Sequence, residues 1–241
     1  MGRIPVPYKA RPFLFNLLGR NLFGMNKMDF SIIKAPLNTY RTLNEFFTRR
    51  IDIQKRILAT QNIVAPCEGK VIHAGLVNEG KLTQIKGITY SLDNLIIDRT
   101  ISDKYKAGSF CNIYLSPRNY HRFHVPCSGI IEKIEHIPGA CYPVNRLGQK
   151  IKGLYTLNER FIVSIKSNNY NLCLAIIGAT AVREITLFKK QNDKVIKGEE
   201  LGMFQMGSSI VMLSDNKVFS SNNTITGYVN VLASIIKTDT V

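Results

Sequence analysis

The sequence predicts a mainly β protein built from two similar halves, preceded by an amphipathic helical region. Three observations predict it. After about residue 60, short β-branched runs are punctuated by Gly, Pro and Asn through to the end, the texture of a barrel or sandwich. Ala65-Pro66-Cys67-Glu68-Gly69-Lys70-Val71 is echoed by Val125-Pro126-Cys127-Ser128-Gly129-Ile130-Ile131, 60 residues further on. Each puts Pro-Cys-x-Gly before a strand, which suggests a duplicated half-barrel. Before residue 60 the apolar residues recur at helical spacing instead.

The helical region comes first. In residues 12–25, Leu14, Leu17, Leu18, Leu22 and Met25 fall on one face. Arg3, Lys9, Arg11, Arg20 and Lys27 surround that face with positive charge, a pattern suited to lying in a membrane interface. The alternative is a helix packed on the protein's own core. Thr42 and Glu45 have capping-box spacing, so a short helix starts there, with Phe46 and Phe47 packing it on the body. These segments divide the chain into a helical, membrane-associating region, 1–60, and a β-rich domain, 61–241. The duplicated turns of that domain are reminiscent of lipoyl-like barrels. Within it Leu201–Leu213 ends in an apolar run that reads as a buried strand, with Gly207-Ser208-Ser209 just before it. Alone, such a Gly-Ser pair is ordinarily a turn. Ser220–Thr224 reads as a loop.

The 241 residues suffice for a sizeable core. Lys and Arg number 32 against 17 Asp and Glu, a net charge of +15, which favours an anionic partner. No nucleic-acid motif is present, so an anionic membrane is the expected partner. Five cysteines without CxxC spacing argue against a disulfide framework and a zinc ribbon; they read as reduced, mostly buried thiols of a cytoplasmic protein. No apolar run reaches the length of a spanning helix. No signal peptide is evident, and Val6 stands where a myristoylation motif wants Ser or Thr.

The densest polar segment is Tyr114-Leu115-Ser116-Pro117-Arg118-Asn119-Tyr120-His121-Arg122-Phe123-His124. It follows a strand-like run and precedes another, so it reads as a loop. His121 and His124, three apart, could share a zinc ion, but a third ligand and the HExxH pattern are missing. No metal is expected. General acid/base work near neutral pH suits the pair better.

These residues resemble those of the phosphatidylserine decarboxylases, pyruvoyl-dependent membrane enzymes. The resemblance runs in order from Leu43-Asn44-Glu45-Phe46-Phe47-Thr48-Arg49-Arg50, through Ala65–Gly69, Tyr114–His124, Ile137-Pro138-Gly139, Asn158-Glu159-Arg160 and Gly178-Ala179-Thr180, to Gly198–Ser209. The Tyr-His-Arg-x-His and Gly-Ser blocks are its specific parts. It implies that Ser208 Oγ attacks the Gly207 carbonyl, and that elimination and hydrolysis cut the chain into β (1–207) and α (208–241) chains, leaving a pyruvoyl group on residue 208. That cofactor forms a Schiff base with phosphatidylserine and releases CO2, giving phosphatidylethanolamine. By the same resemblance His124 is the base, oriented by an acid from the Pro-x-Asp-Gly turn, a triad logic. His121 handles the substrate carboxylate or a proton. Arg118 and Arg122 are candidate clamps for carboxylate or phosphate. A peripheral location on the cytoplasmic side of the cell membrane follows, with the two chains as a heterodimer and further dimerisation left open.

The sequence departs from the family where Glu68 replaces Asp, one methylene longer, with slow but competent self-cleavage expected. Met206 for Leu and Ser209 for Thr are mild changes. The competing reading is a non-catalytic membrane-binding barrel with a decayed processing site.

Overall fold

Aromatic rings rather than leucines organise the N-terminal region. The computed structural model describes residues 4–83, 89–144, 148, 151–179, 185–205 and 208–237, without the side chains of Met28 and Thr83. Helix α1 (Arg11–Leu18) carries Pro12 in its first turn, where the missing N–H is harmless. A wider turn, Gly19–Phe23, follows and ends at Gly24 with φ 73°. After α2 (Lys27–Ser31) comes α3 (Leu43–Phe47). The cap forms, shifted by one residue on its return: Thr42 Oγ1 accepts from the Glu45 amide at 3.1 Å, and the Glu45 carboxylate accepts from the amide of Arg41, just before the N-cap, at 2.6 Å. Phe15 stacks on Phe46 with centroids 5.1 Å apart, and Phe23 meets Phe47 edge-on at 5.4 Å. The leucine row turns outward instead. Leu17 and Leu22 are 42% and 61% exposed, and of the five expected positions only Met25 is buried. Phe15, Gly19 and Phe23 share the same periodicity, and rings bury more area per residue than leucines do.

The β-rich part begins with β1 (Gly69–Leu76), β2 (Lys81–Thr83) and β3 (Thr89–Ser91). Short helices α4 (Leu92–Leu95) and α5 (Arg99–Ser102) lead to β4 (Ser109–Leu115), β5 (Arg122–His124) and β6 (Gly129–Ile137). Then come α6 (Leu154–Leu157), β7 (Arg160–Lys166), β8 (Asn171–Gly178), β9 (Ile185–Leu187) and β10 (Lys194–Val195). The last three are β11 (Glu200–Phe204), β12 (Ser208–Ser214) and β13 (Gly227–Val229). Eight strands form one antiparallel sheet in the order β10-β6-β7-β8-β12-β4-β1-β13; β5-β11-β9 form a second and β2-β3 a hairpin.

The large sheet is two-fold symmetric about the β8–β12 pair. In the first half Gly69 pairs with Val229 and Val71 with Ile113; in the second Gly129 pairs with Val195 and Ile131 with Ile165. Both ladders slip register at the same place, between Val71 and His73 and between Ile131 and Lys133. The two Pro-Cys-x-Gly turns bond each other reciprocally, Val64 N to Pro126 O at 3.0 Å and His124 N to Pro66 O at 2.7 Å. Their glycines are sterically required. A Cβ on Gly69 would stand 2.5 Å from the Tyr114 carbonyl oxygen, and one on Gly129 2.3 Å from that of Lys166.

Both faces of the sheet are covered, so β12 is buried along its whole length. Ile210 and Met212 join the core on one face, with Phe123, Phe204 and Ile113; Val211 and Leu213 join the other, under β2–β3 and the short helices. Burying each such side chain stabilises the fold by roughly 1.5–3 kcal/mol. The duplication and the mainly β class stand, but the barrel does not close. Among the described residues β10 and β13 do not pair. After each the chain turns at positive φ, Gly198 at 92° and Leu232 at 68°, and both donate to the central turns, on Val125 O and Ala65 O. None of the five cysteines is in a disulfide, and four are buried.

Candidate active site

The two-fold breaks where each half passes from its third strand to its fourth. In the second half a tight turn joins β7 to β8, closed by Ser167 N on Tyr170 O at 3.0 Å. The matching positions in the first half, Leu115 and Ser208, are still cross-strand partners. There, however, the chain leaves as the loop 116–121 and returns to Ser208 from β11. The polar segment and the Gly-Ser block therefore meet where the other half has only a turn. Met206 and Gly207 lie outside the described residues.

The loop is shaped by Asn119. Its Oδ1 accepts from the Ser116 amide at 2.8 Å and from the Ser116 hydroxyl at 2.7 Å, the local bonding by which Asn makes turns. Arg49, only 2% exposed, reaches in from the end of α3 and donates to Arg118 O at 2.6 Å and Asn119 O at 3.2 Å. His121 Nδ1 donates to the same Asn119 carbonyl at 2.8 Å. A carbonyl can only accept, so in the neutral ring the lone pair sits on Nε2. That atom is buried with no hydrogen-bond partner among the described residues. Burial, helped by the nearby Arg49 cation, pulls the His121 pKa down to about 3. The ring lies against Phe47 with centroids 4.0 Å apart.

His124 ends β5. Its Nδ1 donates to Gly198 O at 2.8 Å and its Nε2 faces the Tyr120 hydroxyl at 3.1 Å. Burial lowers its pKa as well. Glu68, 2% exposed, sits one turn away but points elsewhere. Its carboxylate pairs with Arg56 and accepts from Asn119 Nδ2 at 3.4 Å; that amide also donates to Tyr228 OH at 2.9 Å. No hydrogen bond joins Glu68 to His124 among the described residues, so the expected carboxylate–imidazole contact is not made. The buried carboxylate has a cation within contact distance, and the Gly198 carbonyl fills the orienting position on the ring.

Ser208 Oγ is fully buried and has no partner among the described residues. The two arginines differ. Arg122 is held in place, its Nε donating to Thr48 O at 2.9 Å and its Nη1 to Glu200 at 3.0 Å. Arg118 lies over the Tyr228 ring at 5.3 Å and makes no ion pair among the described residues. Among those residues no cluster of His, Cys, Asp and Glu could hold a metal ion. Sequence reasoning missed Arg49, Arg56, Tyr120, Asn119 and Tyr228 as parts of this site. For Arg49, Asn119 and Tyr120 the signal was present, because all three lie inside the quoted blocks.

A buried serine, two buried imidazoles and a buried ion pair lie around a break in the repeated scaffold, the clustering of buried polar groups that functional sites show. The comparisons agree. The profile of the family described as phosphatidylserine decarboxylase matches residues 43–233. A Brevibacillus brevis protein named phosphatidylserine decarboxylase proenzyme is 35% identical over 212 residues, covering 79% of this chain and 76% of its own. Proteins of the same name from Dechloromonas aromatica and Anoxybacillus flavithermus are 32% and 34% identical, over 76% and 85% of this chain and 72% and 77% of theirs. The chain belongs to the phosphatidylserine decarboxylase family, a family of carboxy-lyases.

Proposed function

We propose that the chain cuts itself between Gly207 and Ser208 and then decarboxylates phosphatidylserine to phosphatidylethanolamine, using a pyruvoyl group made from Ser208. One observation carries this reading: the Ser208 hydroxyl, fully buried and without a partner among the described residues, opens a central strand at the break in the two-fold, in a chain whose relatives are named proenzymes. An unpaired buried hydroxyl costs about 1–3 kcal/mol, a cost a strand end would shed unless the oxygen is used. The site fits the group that Ser208 would become, being enclosed and lined by the apolar core below β12.

In the processing step Ser208 Oγ attacks the Gly207 carbonyl carbon and gives up its proton. His124 takes that proton. Its Nδ1–H is fixed on Gly198 O, so Nε2 holds the lone pair, and the Tyr120 hydroxyl must move off it first. As the Oγ–carbonyl bond forms, the Gly207–Ser208 C–N bond breaks and the proton passes to the residue-208 nitrogen, leaving an ester; elimination across residue 208 then frees the carboxylate of Gly207, and addition of water with loss of ammonia completes the new chain start. The products are the chains 1–207 and 208–241.

The pyruvoyl carbonyl supplies an electron sink beside the substrate amine. The protein's own side chains do the rest. His121 offers a neutral Nε2 acceptor to the substrate headgroup, and Arg118, without an ion pair among the described residues, a guanidinium to its carboxylate or phosphate. Phe13, Leu17 and Leu22, 73%, 42% and 61% exposed, face outward beside Lys9 and Arg20. They would seat residues 1–60 in the interface of an anionic leaflet, on the cytoplasmic side, with the +15 charge assisting, while residues 61–241 carry the chemistry. No helix among the described residues is long and apolar enough to cross the membrane.

Intact-mass measurement of the purified protein tests the reading. Two chains split after Gly207, the smaller without a free amino terminus, and CO2 release from phosphatidylserine vesicles are the expected results. A single uncut chain with no CO2 release would overturn it.

A further inference from the structure

Glu68 is turned toward Arg56, yet β11 brings a second carboxylate to the His124 side of the site. Glu200 is the cross-strand partner of His124, and the ladder slips register directly after it, between Glu200 and Gly202. Its carboxylate is held by Arg122 at 3.0 Å and by Arg50 at 3.6 Å. The Tyr120 hydroxyl joins the two groups. It lies 3.1 Å from His124 Nε2 and within hydrogen-bonding reach of the Glu200 carboxylate. Tyr120 and His124 are both buried.

A phenol has one proton to give, and Nδ1–H of His124 is already given to the Gly198 carbonyl. Two arrangements remain. In one, Tyr120 donates to Nε2 and covers the lone pair a base needs. In the other, it donates to Glu200 and turns its oxygen toward Nε2. The second uncovers the lone pair of the neutral ring, and it gives the imidazolium an acceptor for its new N–H. A hydrogen bond to a carboxylate is the stronger of the two kinds, so Glu200 favours the second arrangement.

We propose that Glu200, acting through the Tyr120 hydroxyl, is the positioning carboxylate of His124: it draws the phenol O–H off Nε2, and when Ser208 Oγ gives its proton to that nitrogen the phenol oxygen accepts from the new N–H. Tyr120 keeps its own proton throughout, so the serine proton is the one that moves. Glu200 touches neither substrate nor the reacting atoms; its two arginines fix where its oxygens point. The charged groups facing the ring are Glu200 from β11 and Arg122 from β5, with Tyr120 from the loop and Arg50 beyond Glu200. Burial disfavours the imidazolium most. The Gly198 carbonyl and then Glu200 favour it, and Arg122 opposes it.

The effect on cleavage rests on the proposed processing, whereas the effect on the ring does not. Timed intact-mass measurement of freshly synthesised chain, repeated across pH, reads the first. Glu200→Gln should slow the cut by about 10- to 100-fold and move the acid limb of its pH profile to lower pH, because the ring loses the charge that favours its protonated form. Glu200→Asp should restore part of both. Tyr120→Phe, which leaves the arginine pairs of Glu200 intact, should also slow the cut, and adding Glu200→Gln to it should slow it little further, since the carboxylate works through the phenol. Faster cutting by Tyr120→Phe would mean that the phenol only covers the base, and would overturn the relay even if Glu200→Gln fails to fold. An unmoved acid limb, or additive losses in the double variant, would reduce Glu200 to a holder of Arg122. A wild-type chain found uncut at every pH would remove the processing reading instead. NMR titration of His124 in Ser208→Ala then decides the relay: a lower pKa on adding Glu200→Gln supports it, and an unchanged one sinks it.

Discussion

The two halves of the large sheet share register, glycine constraints and reciprocal turns, yet only one holds a site. The second half spends its loop positions on closure: the turn at Ser167–Tyr170, and Ser128 accepting the Lys197 amide at 2.9 Å where the first half has Glu68. The first half leaves the same positions open and fills them with buried titratable groups. A repeated scaffold thus supplies its own control, because any effect of the scaffold should appear twice and any effect of the chemistry once.

The largest difference should come from the strand starts. Ser208→Ala should abolish the split into 1–207 and 208–241 and lower decarboxylation by on the order of 10⁴-fold or more. Asn171→Ala, at the start of the matching strand β8, should leave the mass pattern of the wild type. Next comes the ion pair. Arg56→Ala strands a Glu68 carboxylate that is 2% exposed and should cost about 3–5 kcal/mol in urea unfolding. Ser128→Ala removes one hydrogen bond to Lys197 and should cost about 1 kcal/mol.

Smaller and deliberately symmetric are the glycines. Gly69→Ala and Gly129→Ala force the same clash with a facing carbonyl, so each should lose about 1–3 kcal/mol of stability. Turnover per folded molecule should fall for Gly69→Ala alone, since Glu68 precedes it. Equal losses of turnover would mean that the halves are not functionally distinct.

The acid limb of stability should also be one-sided. His121 has a folded pKa of about 3, whereas an unfolded histidine titrates near pH 6.5. Between those values the unfolded chain binds the extra proton, so stability falls as pH falls from about 6.5 toward 3. From pH 7 to pH 5 the His121 contribution should be a loss of on the order of 2 kcal/mol. Thermal unfolding of His121→Gln should show a correspondingly shallower acid slope.

Much of this was legible in the residues. The Pro-Cys-x-Gly echo located the duplication because glycine at a close backbone approach leaves a fixed mark in sequence. The Thr42–Glu45 box located α3 because capping is local. The leucine face of α1 misled because Phe15, Gly19 and Phe23 repeat with the same period, and only packing decides between two apolar rows. Barrel closure was illegible, since it depends on how Gly198 and Leu232 redirect the chain after two short edge strands. At the site, the histidines, Ser208 and Glu68 were visible as a set. Their distant partners were not: Arg56 and the Gly198 carbonyl reach the site by long-range packing, with no spacing rule to announce them. The acceptors of Arg122, on α3's C-terminal side and on β11, were hidden for the same reason.

The place of β12 has a consequence for any molecule severed at 207–208. The 34-residue remainder would contribute an inner strand, zipped between β4 and β8, and an outer one, β13 on the flank of β1. Such a piece is interleaved with its parent and cannot diffuse off without dismantling both cores. Denatured and then returned to buffer, however, the two pieces would have to find each other, so recovery would become second order and fade with dilution. The uncut polypeptide would regain its shape at any concentration.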